Sequence, residues 1–264
     1  MIERELARVF DRVAEAYDAA RPHYPDEVFH ALPEITGVAL AGATVADVGA
    51  GTGILTRALR AHGARVVAID PGAEMLAFLV SRTAGTGTAG TSASGTGTYG
   101  TGAVLGDGNA LPLADGSVDL VTYAQSWHWL DPVVSITEAR RVLRPGGAMA
   151  ACWNLADAGQ AEWLAAYEAR LSAEAPRYWG PAHREWRVPP IAAAFEVLEE
   201  RWIPWTRLVG LEDFLLDLRS HSYMAALPAG RADDLVARRR AELLEVFPDG
   251  MLSVPMRVYL AVGR

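Results

Sequence analysis

The sequence predicts an α/β fold: a doubly wound, mostly parallel seven-stranded sheet with helices on both faces and a helical cap. Three observations lead to this prediction. Short apolar segments alternate with helical ones from residue 44 onward, a glycine-rich turn follows the first apolar segment, and two further strand-like segments come after a helical insertion. Such alternation is typical of βαβ units, whose parallel sheet is covered on both faces.

The individual elements follow from apolar periodicity. The predicted strands are 44–48, 64–69, 104–105, 118–122, 148–153, 195–205 and 255–262. The predicted helices are 2–20, 26–32 (with Asp26 as its cap), 54–62, 72–81, 133–143, 160–174, 211–218 and 230–246. The two late strands fit extra strands of the same sheet better than a second domain.

We therefore expect one domain over residues 1–264. Its expected parts are an N-terminal helical lid (1–40), a cofactor-binding core (41–154), a cap insertion (155–195) and the last strands and helices (196–264). Residues 83–102 are nearly all Gly, Thr, Ala and Ser. Such a segment buries too little apolar surface to offset its ordering entropy, so we predict a flexible loop there.

Composition excludes several classes of function. A net charge of −8 argues against nucleic acid or an anionic membrane as the main partner. The single Cys152 excludes a disulfide framework and a cysteine-based metal site, and no acidic or histidine cluster has metal-ligand spacing. All 24 basic residues are arginine, which excludes lysine Schiff-base chemistry and the P-loop lysine. The charged amino terminus and the lack of a long apolar run predict a soluble cytoplasmic protein.

The glycine-rich turn is the first candidate for a binding site. After the apolar run Val45–Val48, glycine occupies positions 49, 51 and 53, and a helical pattern follows. Glycine permits positive φ and lets the backbone approach a ligand closely. A dinucleotide fingerprint needs glycine at position 54, where this chain has Ile54. The turn therefore suits a ligand without a pyrophosphate, although an ordinary strand–helix turn has the same pattern.

Acidic residues follow the next two strands. Asp70 ends the second strand, where a carboxylate can accept hydrogen bonds from both ribose hydroxyls of an adenosine. Asp107 and Gly108 follow the third strand and can serve the adenine amine and a ring nitrogen, although Asp/Gly turns are common. Met75 either covers an adenine face or packs against the sheet. Ligands of open parallel sheets bind beyond the carboxyl ends of the strands, where all these residues fall.

These motifs together resemble class I S-adenosylmethionine-dependent methyltransferases with a Rossmann-like sheet. The matching segments are Asp47–Gly53, Ala68–Asp70, Gly106–Asp107, Leu111–Pro112 and Leu143–Gly147. The segment Tyr123–Pro132 is similar to the type 11 small-molecule group that includes trans-aconitate methyltransferase-like proteins, and Tyr17–Pro25 resembles that group too. The resemblance covers about residues 10–153 and only loosely Ser220–Tyr223.

The resemblance implies S-adenosylmethionine as cofactor, S-adenosylhomocysteine as product, and a role for each matching residue. Gly49, Ala50, Gly51 and Gly53 would border the methionine part, Asp70 the ribose, Asp107 with Gly108 the adenine, and Gln125 the sulfonium. Asp47 would act indirectly, by holding the turn or the methionine amine. Tyr17, at the end of the first helix, is expected at the cofactor, although it can equally pack at a helix junction.

The reaction class needs few catalytic side chains. A sulfonium methyl is already activated, so in-line displacement depends mainly on alignment. His128 is the histidine near the right strand end, and a free imidazole pKa of about 6.5 suits a general base. The alternative is that Trp127–Trp129 forms a packed aromatic wedge. His23, His183 and His221 are more distant candidates.

The acceptor stays open at this point. A set of aromatic residues either walls an apolar pocket or packs the inserted helices: Trp153, Trp163, Tyr167, Tyr178, Trp179 and Trp186. We expect a small, fairly hydrophobic acceptor, methylated on oxygen, nitrogen or carbon. Two other functions compete: an NAD(P)-dependent oxidoreductase, opposed by Ile54, and a non-catalytic cofactor-binding subunit, opposed by the intact Gly49, Asp70 and Asp107. The sequence leaves the oligomeric state undecided.

Overall fold

The strands of the protein form a single sheet. The structure, a computed structural model, describes residues 14–83, 98–99, 102–175, 177–178, 196–228 and 230–264. Its strands are β1 (Thr44–Val48), β2 (Arg65–Asp70), β3 (Thr98–Tyr99), β4 (Ala103–Leu105), β5 (Val118–Ala124), β6 (Leu143–Ala156), β7 (Val197–Gly210) and β8 (Met251–Gly263). They are arranged in the order β3-β4-β2-β1-β5-β6-β8-β7.

The sheet is parallel at its centre and antiparallel at its edges. Strands β4, β2, β1, β5 and β6 pair in parallel, so their carboxyl ends meet at one edge of the sheet. Strand β8 runs antiparallel between β6 and β7, and β3 pairs antiparallel with β4. The seven predicted strands are all present, and the predicted doubly wound α/β fold is confirmed.

Helices cover both faces of the sheet. Those in the described ranges are α1 (Ala14–Ala20), α2 (Asp26–Thr36), α3 (Ile54–Ala61), α4 (Ala73–Thr83), α5 (Pro132–Val142), α6 (Glu162–Glu174), α7 (Leu211–Arg219), α8 (Ser222–Ala225) and α9 (Arg231–Val246). Helices α2 and α3 pack Leu32 and Leu59 against Val45 and its neighbours, whereas α5 packs Ile136 against Val48 on the other face. Alternate residues of β1 thus pack into two apolar clusters, one on each face of the sheet.

A third apolar cluster lies at the far end of the long strands. Leu164 of α6, Phe214 of α7 and Leu235 of α9 are buried there together with Val254 and Met256 of β8. Because β8 is antiparallel, its first residues lie beside the end of β6, with Met256 opposite Ala156. The late helices therefore pack beyond the carboxyl edge of the parallel strands. In the described part of the chain, no helix combines the length and apolar character needed to cross a membrane.

Three local predictions differ from the structure. Asp26 is the first residue of α2 rather than its cap, and α2 continues through Pro33 until Gly37 ends it in a left-handed conformation. Strand β6 begins at Leu143, with a register irregularity against β5 before Ala148. Within the predicted loop 83–102, Thr98 and Tyr99 form an edge strand, because backbone pairing needs no apolar side chains. Residues 84–97 and 100–101 of that loop, and most of the first predicted helix, lie outside the described residues.

Candidate functional site

The glycine turn lies at the carboxyl edge of the sheet, between β1 and α3. Gly49, Gly51 and Gly53 all have positive φ, at 71°, 54° and 86°. The amides of Gly49 and Ala50 both donate to the carbonyl of Ile69, at 2.8 and 3.1 Å. The turn is therefore bonded to the end of β2, next to Asp70.

The three glycines have different surroundings. A Cβ at position 49 would lie 2.3 Å from the Cβ of Ser126, and one at position 53 would lie 2.6 Å from Cγ of Leu79. A Cβ at position 51 would meet no heavy atom within 4 Å. Gly49 and Gly53 thus allow close approach of neighbouring protein, whereas Gly51 borders open space that a ligand can fill.

Asp70 holds the turn from the neighbouring strand. Its Oδ2 accepts from the amide of Gly51 at 2.8 Å, and its Oδ1 accepts from the amide of Gly72 at 2.8 Å. A carboxylate oxygen has more than one acceptor site, so each can also serve a ligand hydroxyl. The structure therefore bonds the Asp70 carboxylate to the turn at Gly51.

Asp47 lies beneath the turn, and only 1% of its surface is exposed. The hydroxyls of Thr56 and Thr122 donate to its two oxygens at 2.6 and 3.0 Å. Burial raises the pKa of Asp47, and the hydrogen bonds from the two threonines oppose this effect. The net pKa is about 6. The carboxyl group therefore links β1, α3 and β5 from below, an arrangement that fits an indirect role.

The residues expected at the adenine lie at the neighbouring strand end. Asp107 is exposed, and its Oδ1 accepts from the amide of Asn109 at 2.9 Å. Gly108 is buried, and a Cβ there would lie 2.7 Å from Leu130. Met75 is buried in α4, with 5% of its surface exposed. Each is compatible with an adenine at this edge, and none makes a contact that requires one.

Gln125 has an unusual backbone conformation at the end of β5. Its φ is 56°, and no other non-glycine residue in the described ranges has a positive φ. Its amide donates to the carbonyl of Cys152 at 2.9 Å, and its Nε2 donates to the carbonyl of Asn154 at 2.8 Å. Strain of this kind persists only where surrounding contacts over-determine the conformation, and it often marks a functional site.

His128 lies in the short helical turn Trp127–Trp129 that follows. The indole Nε1 of Trp153 donates to Nδ1 of His128 at 3.2 Å, and the His128 and Trp129 rings lie 4.8 Å apart. Because Nδ1 accepts, a neutral His128 carries its proton on Nε2. In this arrangement the ring can donate a hydrogen bond from Nε2, whereas accepting a proton there requires the other tautomer.

The N-terminal segment contributes a charged cluster on the cap side. Arg21 and Arg207 both face the carboxylate of Asp217, at 3.5 and 2.7 Å, and all three side chains are less than one fifth exposed. The guanidinium of Arg21 also stacks over Tyr17, 4.6 Å from the ring centroid. His221 lies 3.6 Å from Asp217. Burial lowers the pKa of His221 well below its usual value, and the two arginines lower it further.

Sequence reasoning missed three groups that organise the site. Ser126 fills the space beside Gly49, Asn154 contacts Gln125, and the pair Arg207–Asp217 lies beside Arg21. The only sequence signal for Asn154 is a polar residue ending an apolar strand, since its partners are far apart in the chain. Arg207 and Asp217 carry no motif at all.

Other expected participants lie in the cap cluster or pack against it. Trp163 and Tyr167 pack on Phe214 inside the cap cluster, and Tyr178 packs on Tyr223. His183, Trp179 and Trp186 lie outside the described residues. Among the residues that the structure does describe, no group of three or more His, Cys, Asp or Glu side chains is placed to hold a metal ion.

The comparison with protein-family models identifies residues 46–151 as a methyltransferase domain. A relative from Mycobacterium tuberculosis, an uncharacterized methyltransferase, is 34% identical over 226 residues, which is 86% of this chain and 82% of the relative. A demethylmenaquinone methyltransferase from Parafrankia is 43% identical over 157 residues, 56% of this chain and 62% of the relative. None of these comparisons confirms the narrower trans-aconitate group, which stays a prediction.

A solved structure from Anaeromyxobacter dehalogenans, described as a type II methyltransferase, has the same fold. It covers 92% of this chain and 97% of its own, with a TM-score of 0.60 and 21% identity. This likeness shows the fold, whereas the methyltransferase domain and the relatives show the family. The chain belongs to the class I S-adenosylmethionine-dependent methyltransferases.

Proposed function

We propose that the enzyme transfers a methyl group to a small-molecule acceptor by in-line displacement, mainly by positioning the two reactants. The observation that carries this proposal is the turn at Gly51, which has open space where a side chain would lie and whose amide bonds the carboxylate of Asp70, at the same sheet edge as the strained Gln125. Bound S-adenosylmethionine supplies a methyl group already activated by its sulfonium. The chain's own residues then need to hold the two reactants, align them and exclude water.

The proposed roles follow the position of each residue along the sheet edge. Gly49, Ala50, Gly51 and Gly53 form the backbone wall for the methionine part. Asp70 accepts from the ribose hydroxyls while it keeps Gly51 in place. Asp107, Gly108 and Met75 border the adenine, Asp47 supports the turn from below, and Tyr17 closes the methionine end together with Gln125. The name of the Parafrankia relative supports a small-molecule acceptor.

We propose that His128 contacts the acceptor. Its sequence position suggested a general base, but the Trp153 contact favours a hydrogen-bond donor at Nε2. A donor orients an acceptor oxygen or carbonyl without removing its proton, which suits a reaction whose barrier is lowered mainly by alignment. His23 and His221 are less suited to the base role, because His23 packs on Trp205 and His221 lies within the cluster around Asp217.

We propose that the acceptor lies between the N-terminal segment and the cap and carries an anionic group. Two guanidinium groups, Arg21 and Arg207, share the single carboxylate of Asp217, and depression of the His221 pKa keeps that ring neutral. Nε of Arg21 and Oδ1 of Asp217 face each other at 3.5 Å, and neither buried atom makes a hydrogen bond within the described residues. A buried excess of positive charge is costly, and an anionic ligand offsets that cost. This modifies the apolar acceptor expected from the aromatic content.

The larger parts of the chain fit the same proposal. We propose that residues 1–40 act as a lid and 155–195 as the cap over the acceptor. Arg57 supports the lid assignment, because its guanidinium bonds both Asp18 in α1 and the carbonyl of Thr52 in the glycine turn, at 2.6 and 2.7 Å. A cytoplasmic location without nucleic acid or membrane partners stays a prediction.

Calorimetry tests the cofactor part of the proposal. Wild-type protein is titrated with S-adenosylmethionine, S-adenosylhomocysteine and NAD, alongside Asp70→Ala and the control Asp26→Ala, whose carboxylate lies in an exposed helix turn. We expect binding of both adenosyl ligands, little binding of NAD, and a loss of about tenfold or more in Asp70→Ala alone. Tighter binding of NAD than of S-adenosylhomocysteine would contradict the proposal.

A labelled-methyl transfer assay tests the acceptor. The metabolite library contains each acid together with its neutral amide, and Arg21→Met is compared with Arg65→Met, whose guanidinium bonds Thr44 at the opposite edge of the sheet. We expect the acids to be methylated, and Arg21→Met to lower their kcat/KM by about tenfold or more. Equal turnover of acid and amide rejects the anionic acceptor. Methyl transfer to any compound excludes a non-catalytic subunit.

A further inference from the structure

The carboxyl end of β6 contacts both residues that the proposed reaction uses after β5. The carbonyls of Cys152 and Asn154 accept from the backbone amide and the side-chain amide of Gln125, at 2.9 and 2.8 Å. Trp153, between them, donates to His128 at 3.2 Å. Three consecutive residues of one strand therefore set the conformation of Gln125 and the orientation of His128.

Both polar atoms of the Asn154 side chain form hydrogen bonds with residues outside β6. Its Nδ2 donates to the carbonyl of His23 at 2.8 Å, and its Oδ1 accepts from Nε1 of Trp205 at 3.0 Å. The residue is only 7% exposed. Buried amide groups are costly when unpaired and specific when fully paired, so this side chain fixes the place of both partners.

The partner His23 belongs to the segment between α1 and α2, which runs past the end of β6. The His23 and Trp205 rings lie 5.1 Å apart, and the next residue, Tyr24, is buried in the same apolar cluster as Cys152. Burial raises the pKa of Tyr24 well above its ordinary value, so the phenol stays protonated. The N-terminal segment therefore bonds Asn154 and shares an apolar cluster with Cys152, and these are the two residues of β6 that hold Gln125.

We propose that Asn154 is a positioning residue that couples the N-terminal segment to Gln125; this inference rests on the proposed function of the site. The coupling passes through one residue, because the side chain holds His23 while the main-chain carbonyl holds the Gln125 amide. Displacement of His23 or of Gln125 moves the end of β6, and this movement displaces the other residue. When a ligand orders Gln125, it thereby orders residues 17–25, which carry Tyr17 and Arg21 on the acceptor side.

The coupling is measurable without knowledge of the acceptor. Amide hydrogen exchange is followed by mass spectrometry with and without S-adenosylhomocysteine in the wild type, Asn154→Ala, Asn154→Asp and Trp205→Phe. In the wild type we expect the ligand to slow exchange in residues 17–25 by about fivefold or more. In Asn154→Ala and Asn154→Asp, which lose the donor to His23, the slowing should fall below about twofold.

The Trp205→Phe variant is the matched control. It removes the indole donor and leaves the Asn154–His23 bond, so we expect ligand-dependent slowing close to that of the wild type. Calorimetry measures the affinity of each variant for S-adenosylhomocysteine, and exchange is then compared at a saturating concentration of the ligand, which separates coupling from ligand binding. Should Asn154→Ala fail to fold, Asn154→Asp and Trp205→Phe still distinguish the two side-chain contacts.

The outcomes separate failure of this inference from failure of the proposed function. If the wild type does not bind S-adenosylhomocysteine, the cofactor assignment fails and the inference with it. If the wild type binds it but residues 17–25 exchange unchanged, only the coupling is overturned. The coupling is also overturned if Asn154→Ala and Asn154→Asp keep the full slowing, or if exchange rises uniformly through β1, β5 and β6, which is the result of general destabilisation.

Discussion

Ser126 lies against Gly49 so closely that residue 49 has no room for a side chain. A Cβ at position 49 would stand 2.3 Å from the Cβ of Ser126, and the Ser126 hydroxyl donates to the carbonyl of Val48 at 2.6 Å. The residues that follow β1 and β5 therefore pack closely against each other at the point where the chain turns toward the proposed cofactor site. This contact distinguishes Gly49, which is needed for packing, from Gly51, which borders the proposed ligand space.

The first prediction compares two glycine variants. Gly49→Ala combines positive φ with overlap against Ser126, so we expect it to lower the free energy of unfolding by about 2–4 kcal/mol. Gly51→Ala meets open space, and its positive φ should cost only about 1–2 kcal/mol. Its methyl group would instead occupy the ligand space and weaken S-adenosylhomocysteine binding. Denaturant unfolding and calorimetry measure the two effects.

The outcome that contradicts this assignment is specific. If Gly51→Ala binds S-adenosylhomocysteine as tightly as the wild type, the methionine part does not lie against Gly51. Gly42→Ala is a suitable control, because it too has a positive φ of 82° and open surroundings, in the turn before β1. It should share the backbone cost of Gly51→Ala without the loss of binding.

The second prediction concerns the pH dependence of stability. Because burial raises the pKa of Asp47 from 3.8 to about 6, the folded state keeps a proton that the unfolded chain has already lost between these values. The stabilisation is fully present below the unfolded pKa and is lost as the pH rises through about 6. Relative to Asp47→Asn, the wild type should lose up to about 3 kcal/mol between about pH 4 and about pH 7.

This second effect is read from the difference between two unfolding curves. Both proteins share every other titrating group, so the difference in unfolding free energy isolates position 47 when measured without ligand across the pH range. A difference that is constant with pH would show that Asp47 has the same pKa in both states.

The third prediction separates the two roles of His128. If Nε2 donates to the acceptor, His128→Gln should keep turnover within about tenfold of the wild type, since an amide also donates. A general base contributes about 100-fold or more, and glutamine cannot replace it. Labelled-methyl transfer by the wild type, His128→Gln and His128→Ala, measured against pH, distinguishes the two. Loss of about 100-fold in both variants would restore the base assignment.

The fourth prediction concerns the Gly/Thr-rich segment. Replacing residues 84–97 with a Gly-Ser linker of about four residues should leave the melting temperature and methyl transfer nearly unchanged, because closure entropy depends weakly on loop length. Thr98 and Tyr99 are retained, since they pair with β4. Thermal unfolding and the transfer assay measure the result, and a large loss of either would assign the segment a role.

Local sequence was sufficient for most of the elements and for recognising the residues that we propose at the cofactor end of the site. The turn at Gly49–Gly53 and Asp70 can be recognised because each lies within a few residues of a strand end, and parallel strands bring their carboxyl ends to one edge. The pattern also favoured a flexible loop at Thr98–Tyr99, where the structure has an edge strand. Pairing with β4 stabilises that strand through the backbone, which leaves no trace in side-chain periodicity.

By itself, then, the sequence determined the α/β fold and the chain order of the seven predicted strands, because strand ends and turns are local, and its residues for the donor end stay a prediction. Only the tertiary structure decided that Trp153 meets His128, that Arg21 and Arg207 share Asp217, and that Asn154 joins His23 to Trp205. Asn154 is 131 positions from His23 and 51 positions from Trp205 in the chain. No short-range pattern encodes such pairs, since they arise from how separate elements pack at one sheet edge.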